Sequence, residues 1–194
     1  MKKLLLTLFS VTFIGISSLL AQAIDYDKLA PHPRILLKSG DVTAMKEYVE
    51  KSSNAKAVHN FIITEADKML SSAPVERGMT GRRLLSISRT ALKRIFYLSY
   101  AYVTTEDKRY AARAEQEMLA LSKFSDWNPS HFLDVGEATL AMAIGYDWLY
   151  KYLSVHSRSI IGTAIYEKGL LASENKSHAW FFNSSNNWNQ VCNA

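Results

Sequence analysis

Cysteine is nearly absent from this chain: Cys192 is the only thiol in 194 residues, so no internal disulfide can form. Paired-cysteine motifs, a Gly-rich phosphate loop and a Gly-x-Ser-x-Gly elbow are all missing, which removes the common signatures of thiolate metal sites, nucleotide binding and serine hydrolysis. Proline occurs at four positions, Pro31, Pro33, Pro74 and Pro129, all of which read as extended or loop backbone. Sustained apolar–polar alternation is missing as well, and so is any low-complexity linker, so no sheet is expected. An excess of one charge is also lacking. The formal charge is +5, and two of those charges are Lys2 and Lys3. Residues 1–23 hold no acid, so the remainder carries +3. That is too little to argue for nucleic acid, yet it is compatible with an acidic partner.

What is present begins with a targeting segment. Lys2 and Lys3 precede an apolar run from Leu4 to Leu20, and Ala21-Gln22-Ala23 is a small-x-small cleavage site. Residues 1–23 therefore read as a secretory signal peptide. A second apolar span does not follow, so no membrane association is expected once the signal is cleaved. With no cysteine directly following the cleavage site to carry a lipid, the product is expected in the periplasm or secreted. Without disulfides, an exported domain needs a hydrophobic core, and the remaining 171 residues allow one.

Residues 24–194 read as one all-α domain. Pro31-His32-Pro33-Arg34 is extended, and Ile35-Leu36-Leu37 is a short apolar run. Ser39 is expected to cap a first helix with Val42, Met45, Tyr48 and Val49 on its apolar face. Helical periodicity then runs from Asn54 to about Leu70, from Arg82 to Val103, from Lys108 to Lys123 and from Phe132 to Tyr152, with Ser154 capping a last helix to about Asn175. Residues 82–123 and 132–175 repeat one unit of about 43 residues, an apolar helix followed by an amphipathic one. This predicts an αα-hairpin array, of the kind that closes into solenoids or toroids. In a toroid the loops of the inner helices ring one open face, where ligand residues collect.

Three clusters bear on chemistry. Arg82, Arg89 and Lys93 share one side of a helix and Arg77 precedes them, which reads either as a strip for a polyanion or as solvated charge. His131, Asp134 and Glu137 lie three apart at a helix start. Metal ligation there is conceivable, but acids in a first turn are favoured by the helix dipole alone, and no metal or other cofactor is expected from this segment. His32, His59, His156 and His178 show no ligand spacing and read as surface or capping residues. The third cluster is the run Asn183 to Ala194, in which five of twelve residues are Asn and one is Gln. Neutral amides donate to carboxylates and accept from hydroxyls. With Trp188 among them, and Trp180, Phe181 and Phe182 just before, the run suits a ring bearing hydroxyls and an acid group, a uronic-acid sugar. The same composition also fits a polar loop capping a helix, with the Trp in the core.

The blocks Asp126-Trp127-Asn128-Pro129-Ser130-His131-Phe132-Leu133-Asp134, Ala143-Ile144-Gly145-Tyr146-Asp147-Trp148-Leu149-Tyr150 and Asn186-Asn187-Trp188-Asn189-Gln190-Val191-Cys192-Asn193, with His32-Pro33-Arg34-Ile35 before them, resemble in order the N-terminal part of heparinase II/III-type polysaccharide lyases. The resemblance implies part of an (α/α) toroid. It also implies that further toroid helices, antiparallel β domains with the metal sites of some relatives, and the Tyr or His base lie beyond Ala194. An array ending there is expected to leave apolar residues such as Ile144 and Leu149 exposed. The implied activity is β-elimination on an acidic polysaccharide such as heparan sulfate or alginate. The implied roles are Asn187 as the group that neutralises the substrate carboxylate, and Trp127, His131, Asn186, Trp188, Asn189 and Gln190 as substrate-binding residues. Family members often carry His after that Asn, whereas this chain has Trp188. A non-catalytic helical-repeat module that binds a glycan or a protein is the alternative, because such arrays also serve as scaffolds.

Overall fold

The computed structural model describes residues 28–193, and residues 1–23, expected to be a signal peptide, lie outside them. All regular structure among the described residues is helical, apart from one isolated β-bridge between Thr80 and Arg83. The main helices are α1 (Asp41–Lys51), α2 (Ser53–Leu70), α3 (Leu85–Thr105), α4 (Lys108–Ser122), α5 (Phe132–Trp148) and α6 (Val155–Ala164). A π-helical stretch (Ile165–Leu170) continues α6 into the short α7 (Leu171–Glu174), and α8 (Trp188–Asn193) is the last element among the described residues. No helix among the described residues is long and apolar enough to cross a membrane.

Local chemistry sets most of the boundaries. Ser52 Oγ accepts from Ala55 N–H at 3.3 Å to start α2, an Asp107 carboxylate oxygen accepts from Arg109 N–H at 2.9 Å to start α4, and Ser154 Oγ accepts from Ser157 N–H at 3.0 Å to start α6. Glu106 stops α3 in the left-handed region at φ 63°. The expected cap at Ser39 does not form. Gly40 occupies that position without a side-chain bond, and Asp41 reaches back to accept from Lys38 N–H. The last long helix is also not one continuous α-helix. Gly169 in the π-helical stretch sits so close to α5 that a Cβ there would lie 2.7 Å from Thr139 Oγ1, and a π-turn re-aims a helix at such an approach.

The core lies between α3, α4 and α5. Leu84, Ile95, Leu98, Met118, Leu121, Met142 and Leu149 are fully buried. Gly145 lets α5 approach its neighbours, for a Cβ there would lie 2.5 Å from both Ile95 Cγ2 and Met118 Sδ. Glu117 is buried beneath the loop between α2 and α3. It accepts from Val75 N–H and Arg94 at 3.2 Å each, while Arg94 and Arg113 donate to the carbonyls of Ala73 and Ser72.

A smaller core explains a departure from expectation. Leu37, Ile144 and Trp148 pack together with Val42, Met45 and Phe96 around them, so Ile144 is 1% exposed, while Leu149 is buried in the main core. The cover is the extended N-terminal segment. Buried Asp147 accepts from the backbone N–H groups of Arg34 and Ile35 at 2.7 and 2.9 Å, and Trp148 Nε1 donates to Ile35 O at 2.9 Å. His32 is therefore neither a surface nor a capping residue. Its Nδ1 faces Asp147 Oδ1, its Nε2 accepts from Arg34, and its ring stacks on Tyr150 at 3.8 Å. Because Arg34 can only donate, the imidazole proton sits on Nδ1.

Candidate functional site

The centre of the Trp127–Glu137 block is Asp134, whose side chain is fully buried. It sits in the first turn of α5. One carboxylate oxygen accepts from Leu84 N–H and from Asn128 Nδ2, both at 2.6 Å, and the other accepts from His131 Nδ1 at 2.7 Å. Asn128 adopts the left-handed conformation at φ 61° ahead of Pro129, an arrangement Asn tolerates well. It also donates to Arg82 O at 2.9 Å. Asp134 thus ties the start of α3, the α4–α5 loop and His131 to one buried charge. With Nδ1 committed, His131 has Nε2 left for other partners. Its ring meets Trp188 edge-on, with centroids 4.9 Å apart.

Trp127 does not line a groove. It is fully buried, and its indole N–H donates to Leu121 O at 3.1 Å. A ring without exposed surface offers no face to a ligand, and here it fills the space under the α4–α5 loop. Glu137 pairs with Arg89 at 2.9 Å, and no group of three metal-ligating side chains occurs among the described residues.

The amide-rich run is not loop throughout. A 3-10 turn (Ala179–Asn183) buries Phe181 against Phe132, with ring centroids 4.4 Å apart, and leaves Trp180 and Phe182 each 47% exposed. Asn186 Oδ1 then accepts from Trp188 N–H at 3.0 Å, and Asn189 Nδ2 donates to Phe182 O at 2.7 Å. These two amides build the turn into α8, which is how a run of poor helix formers starts a helix. Trp188 is half-buried, between His131 and Trp180. α8 lies on α5 at Gly136, where a Cβ would meet Val191 O at 3.7 Å, an ordinary van der Waals contact.

Asn186, Asn187, Asn189 and Gln190, with Ser184 and Ser185, line one open pocket of about 440 Å³. The side chains of Asn187 and Gln190 are exposed and have no hydrogen-bond partner among the described residues. Six of the seven residues expected at the site are thus accounted for at one end of the molecule: four line the pocket, and Trp188 joins them to His131. Two other hollows share no residue with it. One, of about 630 Å³, lies between Ala73–Arg77 and the end of α4, and one of about 620 Å³ lies between the N-terminal segment and α3. Sequence reasoning missed Asn128 and Asp134 as organisers of the site. The signal was available in Asn128-Pro129, since an Asn before Pro at a helix start marks a special backbone.

The basic residues around α3 are largely spent on neighbours. Arg77 pairs with Asp126 at 2.8 Å, Lys93 with Glu65 at 2.9 Å and Arg94 with Glu117 at 3.2 Å. Hydrogen bonds from Lys68 and Lys93 hold the Glu65 carboxyl down at about 2. No protein-family model matches this chain, and no curated protein matches it.

Proposed function

We propose that this chain serves an exported lyase that cleaves a uronic-acid polysaccharide by β-elimination, built on an (α/α) toroid. The toroid reading is supported by helix contacts: α1 with α3, α2 with α4, α3 with α5 and α4 with α6, in addition to consecutive pairs. Contacts between alternate helices are what stacked αα-hairpins make.

The observation that carries the function is the amide pocket with exposed aromatic faces beside it. In β-elimination a base removes the proton from C5 of the uronate. The electron pair forms the C4–C5 double bond, the C4–O bond breaks, and the departing oxygen takes a proton. The C5 proton becomes removable when donors stabilise the charge that builds on the carboxylate. Asn187 and Gln190 are donors of the required kind, with amides not engaged elsewhere. Trp180 and Phe182 offer apolar faces to the sugar ring. His131, oriented by Asp134, is the side chain of this cluster able to carry a proton.

The test is the ultraviolet absorbance of the unsaturated uronate product, with the full-length protein on heparan sulfate, chondroitin sulfate and alginate. A rise on at least one is expected, and no rise on any acidic glycan would sink the reading. A non-catalytic binding module is favoured by one observation, that Asn186 and Asn189 serve the protein's own backbone. Glycan binding that survives Asn187→Ala, with no new double bond formed, would select it.

A further inference from the structure

We propose that the amide pocket selects an unsulfated uronate and discriminates against the same ring carrying sulfate esters, an inference that rests on the lyase reading above. The pocket is lined by four amides and two hydroxyls, with no ionisable side chain among the six. Neutral N–H donors suit a carboxylate, whose two basic oxygens form charge-assisted bonds to them. A sulfate ester spreads its charge over three weakly basic oxygens. Its hydrogen bonds to amides are weaker, while its desolvation must still be offset, and Arg or Lys is the usual means.

A second observation points the same way. Three of the four cations that could have supplied a sulfate-binding strip are already in ion pairs, and only Arg82, just before α3, has no acidic partner among the described residues. Arg77 is held by Asp126, Arg89 by Glu137 and Lys93 by Glu65, at 2.8 to 2.9 Å. A sulfate group would have to compete with a carboxylate positioned within hydrogen-bond distance for each of these three. The Glu65 carboxyl, at about 2, stays ionised in any ordinary buffer, so that competitor is present throughout the working pH range.

The experiment is steady-state turnover by the full-length protein on two matched pairs, a glucosamine–uronate polymer with and without sulfate and a galactosamine–uronate polymer with and without sulfate, with alginate alongside. The expected result is a kcat/KM higher by about tenfold or more on the unsulfated member of the cleaved pair. In Gln190→Arg that ratio should narrow or reverse, because a cation then faces the pocket from an exposed position. Equal or faster turnover of the sulfated member would overturn the inference while leaving the lyase reading intact. A ratio unchanged in Gln190→Arg would overturn the assignment of selectivity to this pocket. Absence of turnover on all five polymers would overturn the lyase reading and this inference with it.

Discussion

Replacing Asp134 with alanine tests whether one buried carboxylate organises the His131 end of the molecule. The side chain accepts three hydrogen bonds, from Leu84 N–H, Asn128 Nδ2 and His131 Nδ1. Leu84 is fully buried and Asn128 is 6% exposed, so water cannot reach the donors left behind. Each buried donor without a partner costs about 1–3 kcal/mol. His131 costs less, because its side chain is 15% exposed and can turn toward water. The expected loss for Asp134→Ala is therefore about 3–5 kcal/mol, a large share of the roughly 5–15 kcal/mol typical of a domain. Asp134→Asn should be milder, at about 1–2 kcal/mol. Its oxygen can still face Leu84 N–H and Asn128, and its NH₂ can face His131 once the imidazole proton moves to Nε2. Urea unfolding followed by circular dichroism measures both, with a midpoint lowered by about 2 M for alanine at an unchanged slope. Alanine within about 0.5 kcal/mol of the wild type, or asparagine as damaging as alanine, would refute the reasoning.

Asn187→Ala should lower turnover on the cleaved glycan by roughly 10²–10³-fold, and because the side chain is exposed the urea midpoint should not move. Gly145→Ala places a methyl group 2.5 Å from Ile95 Cγ2 and Met118 Sδ and should cost about 1–3 kcal/mol of stability, read from the same unfolding curves. Burial, together with the hydrogen bond to Asp67, pushes the Tyr110 hydroxyl up from 10.0 to about 12. A phenol whose folded value is raised contributes stability that is fully present below about pH 10 and is lost toward pH 12. Tyrosinate absorbance should show one late-titrating group that disappears in Tyr110→Phe, along with that part of the alkaline fall in stability.

Some corrections share a cause. Trp127 and His32 read from the chain as a groove residue and a surface residue. Burial decided otherwise, since their partners, Leu121 O and Asp147, lie 6 and 115 positions away. Local pattern carries no information about a contact 115 positions distant. The same holds for Ile144, expected to be exposed yet covered by Leu37 of the N-terminal segment. The basic strip stayed open between a polyanion site and solvated charge because the acids that hold Arg77, Arg89 and Lys93, namely Asp126, Glu137 and Glu65, belong to other elements.

The sequence by itself determined what repeats at short range. Apolar residues at helical spacing specified an all-helical chain and placed α2 and α4 within two residues at each end. Ser154 announced α6 because a cap acts within one turn. The amide–aromatic run was legible as a chemical type because side-chain donors and faces do not depend on the fold. Only the tertiary structure decided which of those groups are free. Asn186 and Asn189 are spent on the turn into α8, Asn187 and Gln190 are not, and Trp188 reaches His131 because α8 packs against α5. Such availability depends on desolvation and long-range pairing, which are properties of the packed molecule rather than of any local segment of the chain.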